Sequence, residues 1–288
     1  MKSKNLYIKS WQLLSVIAVS ILPVHSQEII DHAYVRASYD FSYKTNPAQT
    51  EYAKTDLMYL DIGERVSKFY SRYEQTRDSI KKEGIDKSLS AYEIVDNMQK
   101  YVKGTKTVVY HIVEDDKIYV TDNLMKYYTY EEPRSIPIWR IDTEQKEIGG
   151  YLCQKSTGTY LGREWTAFFT PEIPISFGPW KLWGLPGLIL EAEDKDGLFL
   201  FQLTGLEQQE HPIPIIYTVE TGRGESFSEV SKKEFQRLEK LFYQDGLEYI
   251  RIHIHVEGGT IYQTEEQKSR YQKLKQKGGV PYIPLEPW

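Results

Sequence analysis

Apolar and polar residues alternate with period two along much of the chain. That period predicts strands with one buried face and one wet face. Val35, Ala37, Tyr39, Phe41 and Tyr43 alternate with Arg36, Ser38, Asp40 and Ser42. Residues 57–62 predict a second strand; Gly63, Glu64 and Arg65 break it, and residues 66–70 resume. Residues 107–120 read as a hairpin around Glu114, Asp115 and Asp116. Further short strands are expected at residues 136–141, 149–155 and 163–170, and a last one at 249–256. Residues 188–192 and 198–203 predict a second hairpin, because Gly197 after Asp196 accepts the positive φ of a tight turn.

The pattern shifts to helical spacing in three places. Residues 73–82 and 88–100 predict two helices, the second opened by a Ser90/Glu93 capping box. Residues 231–244 give the best helix: Ser231 and Glu234 start it, and Phe235, Leu238, Leu241 and Phe242 share one face. Short strands with grouped helices predict a mainly β (α+β) fold, an antiparallel sheet folded over helices and not a parallel βαβ array. There is no internal repeat. The expected organisation is a single β-rich domain over residues 27–262, followed by a charged C-terminal tail over 263–288, mobile or weakly helical in its stretch 263–279.

The N-terminus changes the picture from fold to location. Lys2, Lys4 and Lys9 precede an apolar run over residues 11–24, interrupted by Gln12, Ser15 and Ser20. About 20 apolar residues are needed to span a bilayer, so the run predicts a signal peptide of residues 1–26, cleaved after Ser26, with an uncleaved anchor as the alternative. No cysteine follows it, which argues against a lipid-modified N-terminus. The expected location is the periplasm, with secretion as the other outcome, and no membrane span after cleavage. The remaining chain carries 33 basic and 41 acidic residues, a poor match to nucleic acid or anionic lipid. Cys153 is the only cysteine, so no internal disulfide forms; its place in a predicted strand makes it a buried structural thiol.

Candidate chemistry is sparse. The chain has no Gly-x-Ser-x-Gly elbow, no His-Glu-x-x-His and no phosphate loop. His253 and His255 alternate on the predicted last strand, about 7 Å apart on one face. They form a metal pair only if Glu248, His111 or another group completes the shell, and two ligands alone make a weak site. No metal or other cofactor is expected. The 23 tyrosines and six tryptophans point towards carbohydrate or peptide binding, or equally towards aromatic strand cores.

One segment carries a family resemblance. It runs from Trp139-Arg140-Ile141 through Gly149-Gly150-Tyr151, Gly162-Arg163, Phe168-Phe169-Thr170, Glu172-Ile173-Pro174 and Gly178-Pro179-Trp180-Lys181 to Gly184-Leu185-Pro186-Gly187-Leu188-Ile189. In this order the motifs resemble the GLPGLI family of Bacteroidota envelope proteins, named for the hexapeptide; residues 67–71 resemble it too. The resemblance implies kinship with the N-terminal bowl-like, noncatalytic domain of an F-II type peptide-N-glycosidase. It therefore implies a curved antiparallel bowl-like sheet with a few helices. The function it implies is that of a noncatalytic envelope accessory protein, binding a protein, peptide or glycan on the curved β surface. An outer-membrane or other envelope protein is the expected partner class. The alternative is an unrecognised periplasmic hydrolase, metal-assisted through His253 and His255.

Within the segment, Pro186 and Gly187 suit the central positions of a type II turn. Residues 178–184 are expected to form an aromatic lip over a groove. Trp180 and Trp183, with Arg163 and Trp165, are the ligand-binding candidates. The competing account places both lip tryptophans in the core.

Overall fold

The computed structural model describes residues 28–218, 226–253 and 265–288. Its first six strands are β1 (Glu28–Tyr43), β2 (Lys54–Ile62), β3 (Val66–Ser71), β4 (Val108–Ile112), β5 (Lys117–Asn123) and β6 (Tyr127–Pro133). Helices α1 (Arg72–Asp86) and α2 (Ala91–Gln99) lie between β3 and β4. The next five strands are β7 (Ile138–Ile148), β8 (Tyr151–Tyr160), β9 (Arg163–Thr170), β10 (Leu188–Asp194) and β11 (Phe199–Tyr217). A two-residue β12 (Ser228–Glu229), then α3 (Lys232–Gln244), α4 (Gly246–His253) and α5 (Glu265–Gln276) complete the order.

All twelve strands belong to one sheet, ordered β12-β6-β5-β4-β3-β2-β1-β11-β10-β9-β8-β7. It consists of two sequential antiparallel meanders joined where β1 pairs β11; only the β12–β6 pairing is parallel. Strand β1 shifts register against β11 at three places, and such bulges increase local twist. The result is a large open sheet, curved and unclosed. Curvature brings the inner faces of the two meanders onto one core. Leu60, Phe69, Val109 and Val120 from one meander join Trp165, Phe169 and Phe201 from the other. The free edge strand β7 carries Arg140, Asp142, Glu144, Lys146 and Glu147, charges that discourage edge-to-edge pairing.

The sequence pattern locates the described part of nearly every expected strand, and the structure departs from it at β6 and at residues 249–253. Strand β6 escapes it, because Tyr128, Thr129 and Tyr130 are consecutively buried and show no alternation. The strand expected at 249–256 is helix as far as His253, and its remainder lies outside the described residues. A short apolar run cannot separate the two periods; here the Asp245 side chain accepts from the Glu248 amide, and Arg251 pairs with Glu248 one turn on. The tail residues 265–276 form α5, and residues 280–288 run back over the domain, with the Val280 amide bonded to the Tyr243 carbonyl. The expected signal peptide lies outside the described residues, and no described helix is long and apolar enough to cross a membrane.

The hexapeptide also differs from expectation in detail. The Gly187 amide donates to the Leu185 carbonyl at 2.8 Å, which makes a γ-turn around Pro186 and not a type II turn. Gly187 has φ +152°, and a Cβ there would lie 2.0 Å from the Thr170 carbonyl oxygen. Glycine is required because backbone passes where a side chain would begin.

Candidate functional site

The two faces of the sheet have different fates. On the inner face the chain fills its own hollow. Trp180 is 3% exposed and Trp183 8% exposed, so the lip expected from residues 178–184 is a core plug. Trp180 packs on Trp165 and Tyr160; the Trp183 indole donates to the Ser135 carbonyl, and the Arg134 guanidinium lies 3.6 Å over its ring. Trp165 is 1% exposed. Arg163 is buried against Asp194 and donates to the Pro284 and Leu285 carbonyls. The physical reason is size: a curved sheet of this breadth leaves a hollow that only large apolar side chains fill at native density.

The expected histidine pair is not assembled among the described residues. His253 ends α4, His255 lies outside the described residues, and His111 sits in the core on β4. Burial, then the Arg134 cation, pushes the His111 imidazole down to about 3, and neither ring nitrogen has a hydrogen-bond partner among the described residues. No group of three or more His, Cys, Asp or Glu among the described residues is placed to hold a metal ion. Cys153 is fully buried, and burial raises its thiol to about 11.

The outer face of the first meander leaves a cavity of about 730 Å³ beneath α1 and α2. Helix α1 begins where β3 ends: the Ser71 hydroxyl caps it by accepting from the Glu74 amide and is itself held by Asp56. Arg77 then pairs with Glu74 at 3.2 Å and donates to the carbonyls of Met98 and Tyr101, fixing the end of α2. Ile85, Ile94, Val95 and Met98 turn an apolar wall towards Val108, Tyr110 and Ile216 of the sheet.

Lys68 is the chemical centre of this cavity. Strand register lines up Arg36, Asp61, Lys68, Tyr110 and Tyr119 as cross-strand neighbours from β1 to β5. Lys68 therefore sits beside a buried carboxylate, but that carboxylate is already engaged. Arg36 grips both Asp61 oxygens at 2.6 and 2.9 Å, and the Tyr70 hydroxyl donates to it at 2.8 Å. Among the described residues no carboxylate forms an ion pair with Lys68. Its ammonium rests 5.0 Å from the Tyr70 ring centroid and 5.4 Å from that of Tyr110. Burial lowers its pKa; the attraction of Asp61 and Asp78 opposes this, and the repulsion of Arg36 adds to it. A cation in that state gains from any anion that enters.

Of the other charges at the cavity, Asp78 attracts Lys68 without forming an ion pair with it. Lys81, Lys82 and Lys106 line the cavity too. Of its carboxylates, Glu74 holds Arg77 and the Gly104 amide, and Asp122 holds the Thr107 hydroxyl and the Asn123 amide. Asp78 of α1 also lines the cavity; burial raises its pKa, and the attraction of Lys81, Arg77, Lys106 and Lys68 opposes this. Sequence reasoning missed Lys68 because its signal is a register across strands, not a motif along one.

A second cavity, about 590 Å³, borders Trp165 on the other meander, lined by Thr157, Thr159, Thr166, Glu164 and Glu193. Its Lys195 is paired with Glu164, so it offers no free cation of the Lys68 kind.

Residues 162–191 match the model of one family, "Protein of unknown function (Porph_ging)". This is the GLPGLI-type family of Bacteroidota that the hexapeptide resembles. The Porph_ging match covers β9, the core plug and the start of β10, the segment that places Arg163, Trp165, Trp180, Lys181 and Trp183. The chain is also similar to PNGF-II in two crystal forms, with TM-scores of 0.47 and 0.48 and 11% identity in each. The alignment covers 70% of this chain and 32% of PNGF-II, so this chain spans about a third of that protein's length. No curated relative matches the chain.

Proposed function

We propose that the protein is a noncatalytic binding domain of the periplasm whose ligand enters the cavity beneath α1 and α2. One observation carries this reading: Lys68 is half buried between two tyrosine rings, while its neighbouring carboxylate is engaged by Arg36. The ligand class that fits has an apolar body for the Ile94–Met98 wall and a carboxylate or other anionic group for Lys68. A peptide side chain or terminus, or an acidic glycan, meets that description. A cavity of this volume is of the size that holds small ligands. Among its lining residues Glu74 and Asp122 already serve structural hydrogen bonds, and Asp78 has no histidine beside it as an acid–base partner, which favours binding over hydrolysis.

The test uses 8-anilinonaphthalene-1-sulfonate, an anionic aromatic probe. Saturable binding at one site is expected in the parent, weakened at least tenfold in Lys68→Met. A tenfold loss corresponds to about 1.4 kcal/mol, within the range of a desolvated charge contact. Equal affinity in the two proteins would refute the reading.

A further inference from the structure

The segment at residues 280–288 has no regular structure and joins no β-ladder, yet the domain reads it closely. Arg163, 8% exposed along its side chain, forks onto two successive carbonyls: its Nη2 donates to Pro284 at 2.6 Å and its Nε to Leu285 at 2.8 Å. Tyr282 stacks on Tyr243 with centroids 3.6 Å apart and a 5° interplanar angle. Its hydroxyl donates to Glu239 at 2.6 Å, and the Trp288 indole donates to the same carboxylate at 2.8 Å.

Charge makes the seat selective. Lys181 comes from the core plug and is 1% exposed. It contacts Glu132 of β6 and Glu286 of the segment, while Lys232 of α3 reaches both carboxylates at 2.5 Å. The four charges cancel only with Glu286 present. Without it a buried cluster keeps one unmatched positive charge, and an uncompensated buried charge is strongly unfavourable. The seat thus requires a carboxylate. Pro281, Pro284 and Pro287 restrict the segment before it docks, which lowers the ordering cost of an extended peptide. The chain enters through Gly278 and Gly279, at φ +85° and +95°; a Cβ at Gly279 would lie 2.2 Å from the Tyr243 carbonyl oxygen.

We propose that this seat, built by Arg163, Lys181, Lys232 and Glu239, is a peptide-recognition site filled here in cis. Its ligand class is an extended, proline-rich peptide of another polypeptide, with one carboxylate placed as in Glu286 and an aromatic residue on each side. Such a peptide enters by displacing residues 280–288. The site lies on the inner face, away from Lys68, so it stands or falls independently of the binding reading above.

The test uses the full chain and a fluorescent synthetic peptide with the sequence of residues 280–288. Glu286→Lys places a third cation beside Lys181 and Lys232 and so frees the seat. It is expected to bind the peptide at least ten times more tightly than the parent does, and to lose at least tenfold when the peptide carries glutamine for its glutamate. Near-ultraviolet circular dichroism checks that the variant is folded. A second form does not depend on that variant: the full chain with a protease site inserted after Lys277, cut in solution. Native mass spectrometry should show the cut segment held and then exchanged for added labelled peptide. A folded Glu286→Lys that binds no peptide overturns the proposal. So does a cut chain whose segment never exchanges, or exchange that is indifferent to the glutamate.

Discussion

Two lysines in this molecule are taken out of water, with opposite consequences. Burial alone would lower Lys181, but Glu286 and Glu132 more than restore it, and its pKa is raised. Lys68 is desolvated too, Arg36 occupies the Asp61 carboxylate beside it, the attraction of Asp61 and Asp78 does not offset burial, and its pKa is lowered. A compensated buried charge serves the fold, because each partner depends on the others. One with no ion pair among the described residues, at the wall of a cavity, is a recognition group for an anion. The inner face, with its plug and its docked segment, is finished; the outer cavity is not.

The comparison breaks first at Lys181. Lys181→Met leaves Glu132 and Glu286 with only Lys232 between them. Stability in urea should fall by about 3–5 kcal/mol, the cost of stranding one partner of a buried pair. Lys68→Met should change stability by about 1 kcal/mol or less, since lost cation–π contact and relieved desolvation oppose each other. Similar losses in the two variants would erase the distinction.

The inner face should also respond to pH. Burial raises Glu239 to about 7, against the lowering hydrogen bonds from Tyr282 and Trp288. The folded state then holds a proton that the unfolded chain releases near 4.5. Stability from this group is full below pH 4.5 and is lost as pH rises through 7, by up to about 3 kcal/mol. Urea midpoints of Glu239→Gln and the parent should diverge over that window, with the parent losing more as pH rises. Parallel curves would mean that Glu239 titrates normally. His111 slopes the other way: with its folded pKa near 3, its contribution is present above about 6.5 and is lost as pH falls towards 3. His111→Phe should flatten the acid limb of the parent's stability curve, and an unchanged limb would contradict the buried neutral imidazole.

The fold was largely legible in the sequence, and the site was not. Alternation in residues 35–43 exposes β1 because one face is dry and the other wet, and Ser90 with Glu93 does form its capping box. At Ser231 only half the box forms, because the Glu234 carboxylate turns to Arg237. Trp180 and Trp183 suggested a surface because aromatic residues beside glycines look alike in a lip and in a plug; only the curvature of the whole sheet decides between them. Lys68 carried no signal at all. Its meaning depends on Asp61, seven residues away, and on Arg36, a further strand away, which captures that carboxylate. Competition for one partner is a property of register, and single-chain patterning does not record it.

The central claim is the state of Lys68, and nuclear magnetic resonance of its side-chain Cε and Nζ during a pH titration tests it most directly. Lysine resonances would be assigned by comparison with Lys68→Met. The account predicts that Lys68 titrates below the exposed lysines in the free protein and moves upward when 8-anilinonaphthalene-1-sulfonate is bound. A Lys68 that titrates with the surface lysines, and does not respond to the probe, would contradict it.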